Sequence, residues 1–520
     1  MRSRIDPWTT VVVAALLLGA VFRLAGLEHR LVWHDEVYTR FFAAGRAAAD
    51  WQAVLYGGGV VTAGDVVALQ QHDPSATALD TIAGLARDEP QHPPLYYVLA
   101  GLHVRWFGDS IRALRALSAV FGLLALPAMW WLCRELFPRQ LRVRQMGTAL
   151  LALSPYFVLF STEARDYALW GLWILVTSAA LLRALRVSEQ TPERSLGAWA
   201  LVSATLTLSL YTSFSMVWVI AAQVLFVILR DRRRWRRESW MAAAAMGVAA
   251  LLFLPWALIL RTHWDAFRAS MEWSRVIAIP RSELLGSLLL NASRPFVDVG
   301  PTAVGVERLL VAGVVTLAIG ALVALAREAP PGRGLVLGLT LIPLGFLLVP
   351  DLIFWGIRSL PGRYLAPCWL AVLIAVAWAL GRDGPQPRGR TAVFGVLLLL
   401  AVASNAQGWG QITAWHQPIS SALPTAAVLV ATADDPLVVG NREAHHGGNL
   451  LALALRVPPS TRLQFAPLEE DYVLADHPGT IYLFSPNDPF RKRLEEQFGV
   501  TTRPVFATQH LWLWEVVRPR

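Results

Sequence analysis

Long apolar runs, interrupted by short arginine-bearing stretches, fill the first 410 residues. A helix needs about 20 apolar residues to cross about 30 Å of hydrocarbon. Runs near that length occur at roughly 8–27, 112–133, 145–161, 167–187, 196–211, 214–230, 240–260, 306–326, 334–354, 364–381 and 391–409. Beyond 411 the pattern shortens and alternates. Pro436 to Gly440 and Thr480 to Phe484 read as strands, Asn449 to Arg456 and Asp488 to Phe498 as helices, and Pro504 to Val517 as one extended run. The expected fold is therefore mainly α. Residues 1–410 form a polytopic transmembrane helical bundle of about eleven spanning helices, with juxtamembrane helices in the first outer loop, 28–111. Residues 411–520 form a small α/β soluble domain.

Composition agrees. Of 520 residues, 55% are hydrophobic and 16% charged, and the mean hydropathy is +0.45. A soluble chain carries about 25% charged residues. Cys133 and Cys368, the only cysteines, lie in or beside apolar runs and read as small core residues. The amino terminus has the look of a signal peptide. Its apolar stretch is long enough to span, however, and no small-x-small cleavage site follows, so it reads as a retained first helix.

The net charge of +9 does not indicate nucleic acid. Lys492 is the sole lysine, and the arginines gather at the ends of apolar runs. The main clusters are Arg230, Arg232, Arg233, Arg234, Arg236 and Arg237, and Arg134, Arg139, Arg142 and Arg144. Arg183 and Arg186, and Arg382, Arg388 and Arg390, are weaker ones. All fall on the cytoplasmic side if the first helix runs outward. A crossing by residues 95–107 would reverse this. Thirteen residues reach only about 20 Å as a helix, and His103 and Arg105 lie among them, so this segment is expected to lie at the outer interface. The chain then reads as a multi-pass protein of a bacterial-type inner membrane. Its amino terminus is cytoplasmic, and its carboxy-terminal domain is outside.

Four polar stretches fall on the outer face of this scheme. Trp33-His34-Asp35-Glu36 follows the first helix. Glu89-Pro90-Gln91-His92-Pro93-Pro94 closes the same loop, its prolines holding the chain extended. Glu163, Arg165 and Asp166 sit in a turn too short to carry them into water, where ionisable residues are functional by default. Arg358 and Arg363 occupy another short turn, on the side that should be poor in arginine, and guanidinium groups suit a phosphate. Acids, a histidine and arginines beside apolar walls fit an amphiphile with a phosphate head and a lipid tail. Each stretch also has an ordinary reading, as solvated loop, helix start, salt bridge or contact to lipid headgroups. The case rests on their convergence.

With these motifs in place, the sequence resembles the C-type, multi-spanning glycosyltransferases that use polyprenyl-phosphate sugars. That group includes the lipid A aminoarabinose transferases and the protein O-mannosyltransferases. The likeness covers about residues 8–380. It rests on Asp35-Glu36, on His92-Pro93-Pro94-Leu95-Tyr96-Tyr97, on Ser154-Pro155 through Glu163-Ala164-Arg165-Asp166-Tyr167, and on Pro361-Gly362-Arg363-Tyr364. The resemblance implies a membrane glycosyltransferase of the cell envelope. It would pass a sugar from a polyprenyl-phosphate donor to a lipid, glycan or protein acceptor, with inversion. Asp35 would be the catalytic carboxylate, with Glu36 in support. Glu89, His92, Tyr96, Arg165, Arg358, Arg363 and Tyr364 would bind substrate. Asp35 would hold a divalent cation together with Glu163 or Asp166. His92 stands where the aminoarabinose transferases carry a lysine, which points away from an identical phosphate contact.

Two other classes compete. A transporter or flippase of lipid-linked sugars would place polar residues near the membrane midplane. Here they crowd the ends of helices, and Arg23 is expected to snorkel to its interface. A scaffold whose tail binds a partner leaves the charged turns unexplained. In the tail, His445 and His446 read as a polar turn in preference to a metal site.

Overall fold

The structure is a computed structural model. It describes residues 7–46, 48–231, 235–384, 387–441, 446–466 and 474–518. His445 and Arg232 to Arg234 lie outside the described residues. Two compact units are present. The first comprises residues 1–27, 89–96 and 115–410; the second comprises 28–88, 97–114 and 411–520.

The first unit is a helical bundle. Among the described residues seven helices are long and apolar enough to cross a membrane, or eight if one bent pair counts as a span. This is a multi-pass membrane protein. Helices of 18, 16 and 15 residues also form over Pro7–Leu24, Ser195–Leu210 and Met216–Arg230, where spans were expected at 8–27, 196–211 and 214–230. Residues Gly362–Gly381 are central, with 89% of their apolar window buried, whereas Arg237–Thr262 is peripheral at 22%. The peripheral helix leaves its leucines outward, as a lipid-facing helix must.

The run 145–161 does not form one straight helix. Leu141–Leu153 and Pro155–Ser161 meet at an angle of 56°. Pro155 has no N–H to continue the ladder, so carbonyls in the last turn lose their partners. In an apolar interior each lost partner is costly and protein groups must replace it. Arg23 does so. Its Nη1 donates to the carbonyls of Gly19 (3.0 Å) and Ala152 (2.5 Å), and its Nη2 to that of Leu151 (3.1 Å). Asn405 Nδ2 donates to the Leu153 carbonyl at 2.7 Å. On the other side of the break, the Tyr156 N–H donates to the Arg294 carbonyl at 3.2 Å. Arg23 therefore does not snorkel. It is only 1% exposed, because the broken backbone draws its guanidinium inward. Gly19 permits this approach: a Cβ there would lie 2.4 Å from the Ala152 oxygen.

The second unit is built on a six-stranded sheet. Its strands are β1 (Val60–Thr62), β2 (Leu437–Asn441), β3 (Arg462–Ala466), β4 (Ile481–Phe484), β5 (Thr501–Ala507) and β6 (Trp512–Val517), in the order β1-β3-β2-β4-β6-β5. β2 lies parallel to both β3 and β4; the other pairs are antiparallel. The central strands are apolar on both faces. Val438, Leu463, Phe465 and Phe484 enter one core, and Leu437, Val439, Ile481 and Leu483 enter the other. Helix His446–Ala454 covers the first face through Leu450, Leu451 and Leu453, and helix Asp488–Phe498 covers the second through Leu494. The expected final extended run is a hairpin instead, since Thr508 turns the chain back by bonding Leu511. β1, β3 and the helix Leu423–Thr432 were not foreseen. β1 has three residues, too few to show a period, and pairs with β3 across some 400 positions of sequence.

Helix Leu95–Phe107 has thirteen residues, as expected. The polar residues on it are occupied. His103 Nε2 lies 2.9 Å from the Ala113 carbonyl, and Arg105 Nη2 donates to the Ala76 carbonyl at 2.8 Å. Burial holds the His103 pKa below its usual value, against the opposing effect of that carbonyl, so the ring is neutral at pH 7. Length, not this histidine, limits the helix.

Replacing Arg23 with methionine removes donors from three carbonyls. At roughly 1 kcal/mol or more for each acceptor left bare, the loss is about 2–4 kcal/mol. The thermal aggregation midpoint of the detergent-purified variant is expected to fall, and Arg23→Lys to recover part of it. An unchanged midpoint would show that the break is held by other groups.

Candidate active site

Asp35 and Glu36 belong to the second unit. They occupy the first turn of helix His34–Ala43. Negative charge is favoured at a helix amino terminus by the unpaired N–H groups and the aligned peptide dipoles. Asp35 is half-buried and Glu36 is fully buried. Further along the helix, Arg40 donates to Gln70 Oε1 at 3.0 Å, so this cation is tied to its own unit.

The remaining expected residues lie in the first unit. Glu163, Arg165 and Asp166 are all buried. They form a tight turn in which the Arg165 N–H donates to the Glu163 carbonyl at 2.8 Å. Helix Tyr167–Gln190 starts at once: the Trp170 N–H bonds the Asp166 carbonyl at 2.8 Å, while the Asp166 side chain does not cap the helix. The Arg165 and Arg363 guanidinium carbons lie 5.8 and 6.0 Å from the Tyr167 ring centre, and Arg363 lies 5.2 Å from that of Tyr364. Two arginines thus flank one aromatic ring, a cation–π arrangement that orients both. Tyr96 is buried, and its hydroxyl is 2.8 Å from Ser118 Oγ, which donates to the Arg165 carbonyl at 3.3 Å. Glu89 and His92 are partly exposed neighbours, with Oε2 and Nε2 at 3.8 Å.

Arg358 and Arg363, five residues apart, are used differently. Arg358 Nη1 donates to Asp351 Oδ1 at 2.8 Å, and Ser359 N and Oγ both donate to Asp351 Oδ2 at 2.8 Å. Asp351 is buried, so Arg358 is the counter-ion that holds the turn. The turn is tied again by Ile357 N to the Ser274 carbonyl (2.8 Å), by Asn291 Nδ2 to the Leu360 carbonyl (2.9 Å) and by Tyr156 to the Gly362 carbonyl (2.8 Å). Gly356 is required here. Its φ is +124°, and a Cβ would lie 2.4 Å from the Arg358 guanidinium.

This rigid turn places Arg363 at a small cleft in the first unit. Arg23, Tyr156, Ser161 and Tyr167 also line it, and Phe157, Phe160 and Leu370 contribute apolar wall. Sequence reading missed Arg23, Asn405 and Asp351 as organisers of this region. Polar residues inside apolar runs were the available signal. Among the described residues no group of three or more His, Cys, Asp or Glu side chains is placed to hold a metal ion.

Residues 91–259, about a third of the chain, match the family described as dolichyl-phosphate-mannose-protein mannosyltransferase. The structure is similar to that of ArnT from Cupriavidus metallidurans bound to undecaprenyl phosphate, with a TM-score of 0.56, 14% identity and 98% of each chain covered. Its fold is that of the C-type glycosyltransferases. The apo oligosaccharyltransferase of Archaeoglobus fulgidus is also similar, with a TM-score of 0.50, 13% identity and 88% of this chain covered. This chain spans 65% of that protein's length. No curated protein sequence matches significantly. Within the C-type fold, the family match includes the turn Glu163 to Asp166 but neither Asp35 nor Arg363.

Asp351→Ala leaves the Ser359 donors and Arg358 unmatched, at roughly 1–3 kcal/mol for each buried group. Deuterium uptake across 355–363 is expected to rise strongly in this variant and much less in Arg358→Ala. Equal, small increases would show that Tyr156 and Asn291 suffice to hold the turn.

Proposed function

We propose that this protein is an integral membrane glycosyltransferase. It transfers a sugar from a polyprenyl-phosphate donor to an extracytoplasmic lipid, glycan or protein acceptor, with inversion at the anomeric carbon. The observation that carries the reading is the cleft in the first unit. Arg363, Tyr156 and Tyr167 stand there among phenylalanine and leucine walls, while Arg23 is committed to backbone carbonyls, in a chain with the C-type fold. Guanidinium groups match phosphate oxygens, and the apolar walls match a lipid chain.

The charge balance of the reaction fits this chemistry. The donor is a phosphodiester with one negative charge. As the acceptor attacks C1, the bond from C1 to the phosphate oxygen breaks and polyprenyl phosphate leaves with a second charge. Arg363, aimed by the tied-down turn, meets that developing charge, with Arg165 beside the same tyrosine. Asp35 is the base that takes the acceptor proton. It stands in the first turn of a helix, where negative charge is favoured. Glu36 supports that turn, and Glu89, His92, Tyr96 and Tyr364 are assigned to substrate contact. Glu163 and Asp166 flank Arg165 in sequence and are the acids that would hold a divalent cation with Asp35.

Eleven crossings, with the arginine clusters in the cytoplasm, put the acids, the donor cleft and the carboxy-terminal segment on the extracytoplasmic face. Helices lie at each of the eleven expected spans, the third as the bent pair Leu141–Leu153 and Pro155–Ser161; seven of them, or eight with that pair, are long and apolar enough to cross. The bacterial-type inner membrane remains the proposed location.

Membranes containing Asp35→Asn are expected to transfer sugar from defined polyprenyl-phosphate donors at least ~10²-fold more slowly, the lower range for a general base, with normal insertion. Wild-type turnover would remove Asp35 from the mechanism. Arg363→Ala is expected to lower turnover by about 10²-fold, as loss of a charge-stabilising donor does. Arg358→Ala is expected to cost much less. The opposite order would reverse the roles given to the two arginines.

A further inference from the structure

The helix that carries Asp35 begins without a side-chain cap of its own. Its N-cap residue is Trp33, whose carbonyl accepts from the Glu36 and Val37 N–H groups but whose side chain makes no cap hydrogen bond. The carboxy-terminal segment supplies what is missing. The His34 N–H donates to Ser420 Oγ at 3.3 Å. Ser420 Oγ donates to Asn449 Oδ1 at 2.6 Å, and Asn449 Nδ2 donates to the Ile419 carbonyl at 2.6 Å. Ser420 and Asn449 are both fully buried.

Packing is equally tight at this point. A Cβ on Gly448 would lie 2.1 Å from His34 Nδ1 and 2.7 Å from Cε1, so the imidazole rests directly on bare backbone. Gly447 and Gly448 lie inside the helix His446–Ala454, and neither has a positive φ. Two adjacent glycines in a helix cost about 1 kcal/mol each against alanine. Backbone conformation does not require Gly448; the space under His34 does. Around this contact Trp33 meets the His416 ring edge-on at 5.4 Å, and His446 meets Trp512 at 5.3 Å. Val37 and Phe41 of the acid-bearing helix share a core with Leu450, Leu451 and Leu453.

We propose that Gly448, Ser420 and Asn449 are positioning residues for catalysis: they form a seat that fixes the first turn of helix His34–Ala43, and with it the Asp35 carboxylate. The carboxy-terminal segment is thereby part of the catalytic unit and not an appended module. This rests on the reading of Asp35 as the base. A carboxylate displaced by even 1 Å from its proton loses much of its effect on turnover while donor binding is untouched. A defect in this seat therefore appears in kcat, not in KM for the donor.

The test is a double-mutant cycle between Gly448 and His34. Gly448→Ala is expected to lower kcat at least tenfold in the wild-type background, with donor KM within twofold. In a His34→Ala background, where the ring that collides with the new methyl is gone, the same substitution is expected to lower kcat less than twofold. Ser420→Ala, which removes a hydrogen bond without adding bulk, is expected to lower kcat three- to tenfold at normal yield and monodispersity. This keeps the inference testable if Gly448→Ala fails to fold. Equal effects of Gly448→Ala in both backgrounds, or loss expressed in KM, would overturn the seat. So would wild-type kcat in the folded Ser420→Ala enzyme. Asp35→Asn, assayed alongside, separates the two ideas: full activity there defeats the assignment of the base, whatever the cycle shows.

Discussion

An apolar interior without water forces every break in a helix to be repaired by protein, and the break at Ser154–Pro155 is where this requirement organises the first unit. Proline removes a donor and bends the span by 56°. The freed carbonyls of Leu151, Ala152 and Leu153 are met by Arg23 and Asn405, and the freed N–H of Tyr156 by the Arg294 carbonyl. Three segments far apart in sequence are thereby tied to one point. Tyr156 is positioned by the same break, and its hydroxyl holds the Gly362 carbonyl beside Arg363. The cleft beside Arg363 is thus a consequence of how one broken helix satisfies its backbone.

The same requirement sorts the arginines. In water, charge alone would make Arg23, Arg358 and Arg363 interchangeable. In the bundle, Arg23 spends both terminal nitrogens on carbonyls, and Arg358 neutralises the buried Asp351. The Arg363 guanidinium lies against aromatic faces, with Tyr167 at 6.0 Å and Tyr364 at 5.2 Å. A ring face orients a guanidinium while leaving its N–H groups directed elsewhere. Arg363 lines the cleft, whereas Arg358 is paired with Asp351; Arg363 is therefore the group we assign to the phosphate.

The second unit poses a different problem. Its sheet draws one strand from the first loop and five from the carboxy-terminal segment. Its main core likewise mixes Leu31, Trp33, Val37 and Phe41 with residues beyond 420. Burying an apolar helix face needs a partner surface, and here that partner lies some 400 residues away. The seat under His34 follows from this packing. Glycine and serine are tolerated there at a local cost in helix propensity, because the tertiary contact needs room and a hydrogen-bond acceptor.

Periodicity along the chain determined most of the helices, since a span's length is set by hydrocarbon thickness and its composition by the absence of water. It also located the strand Pro436 to Gly440 and the helix Asp488 to Phe498 closely, because both are long enough to show their period. Acids and arginines beside apolar walls carried a resemblance that led to the fold found. Tertiary structure alone decided the rest. The bend at Pro155, the inward turn of Arg23 and the pairing of Arg358 with Asp351 depend on which polar group finds an unsatisfied partner in three dimensions. Strand β1 and the seat formed by Ser420, Gly448 and Asn449 depend on contacts between distant segments. No local pattern encodes such contacts, because the energy that selects them appears only when the two surfaces meet.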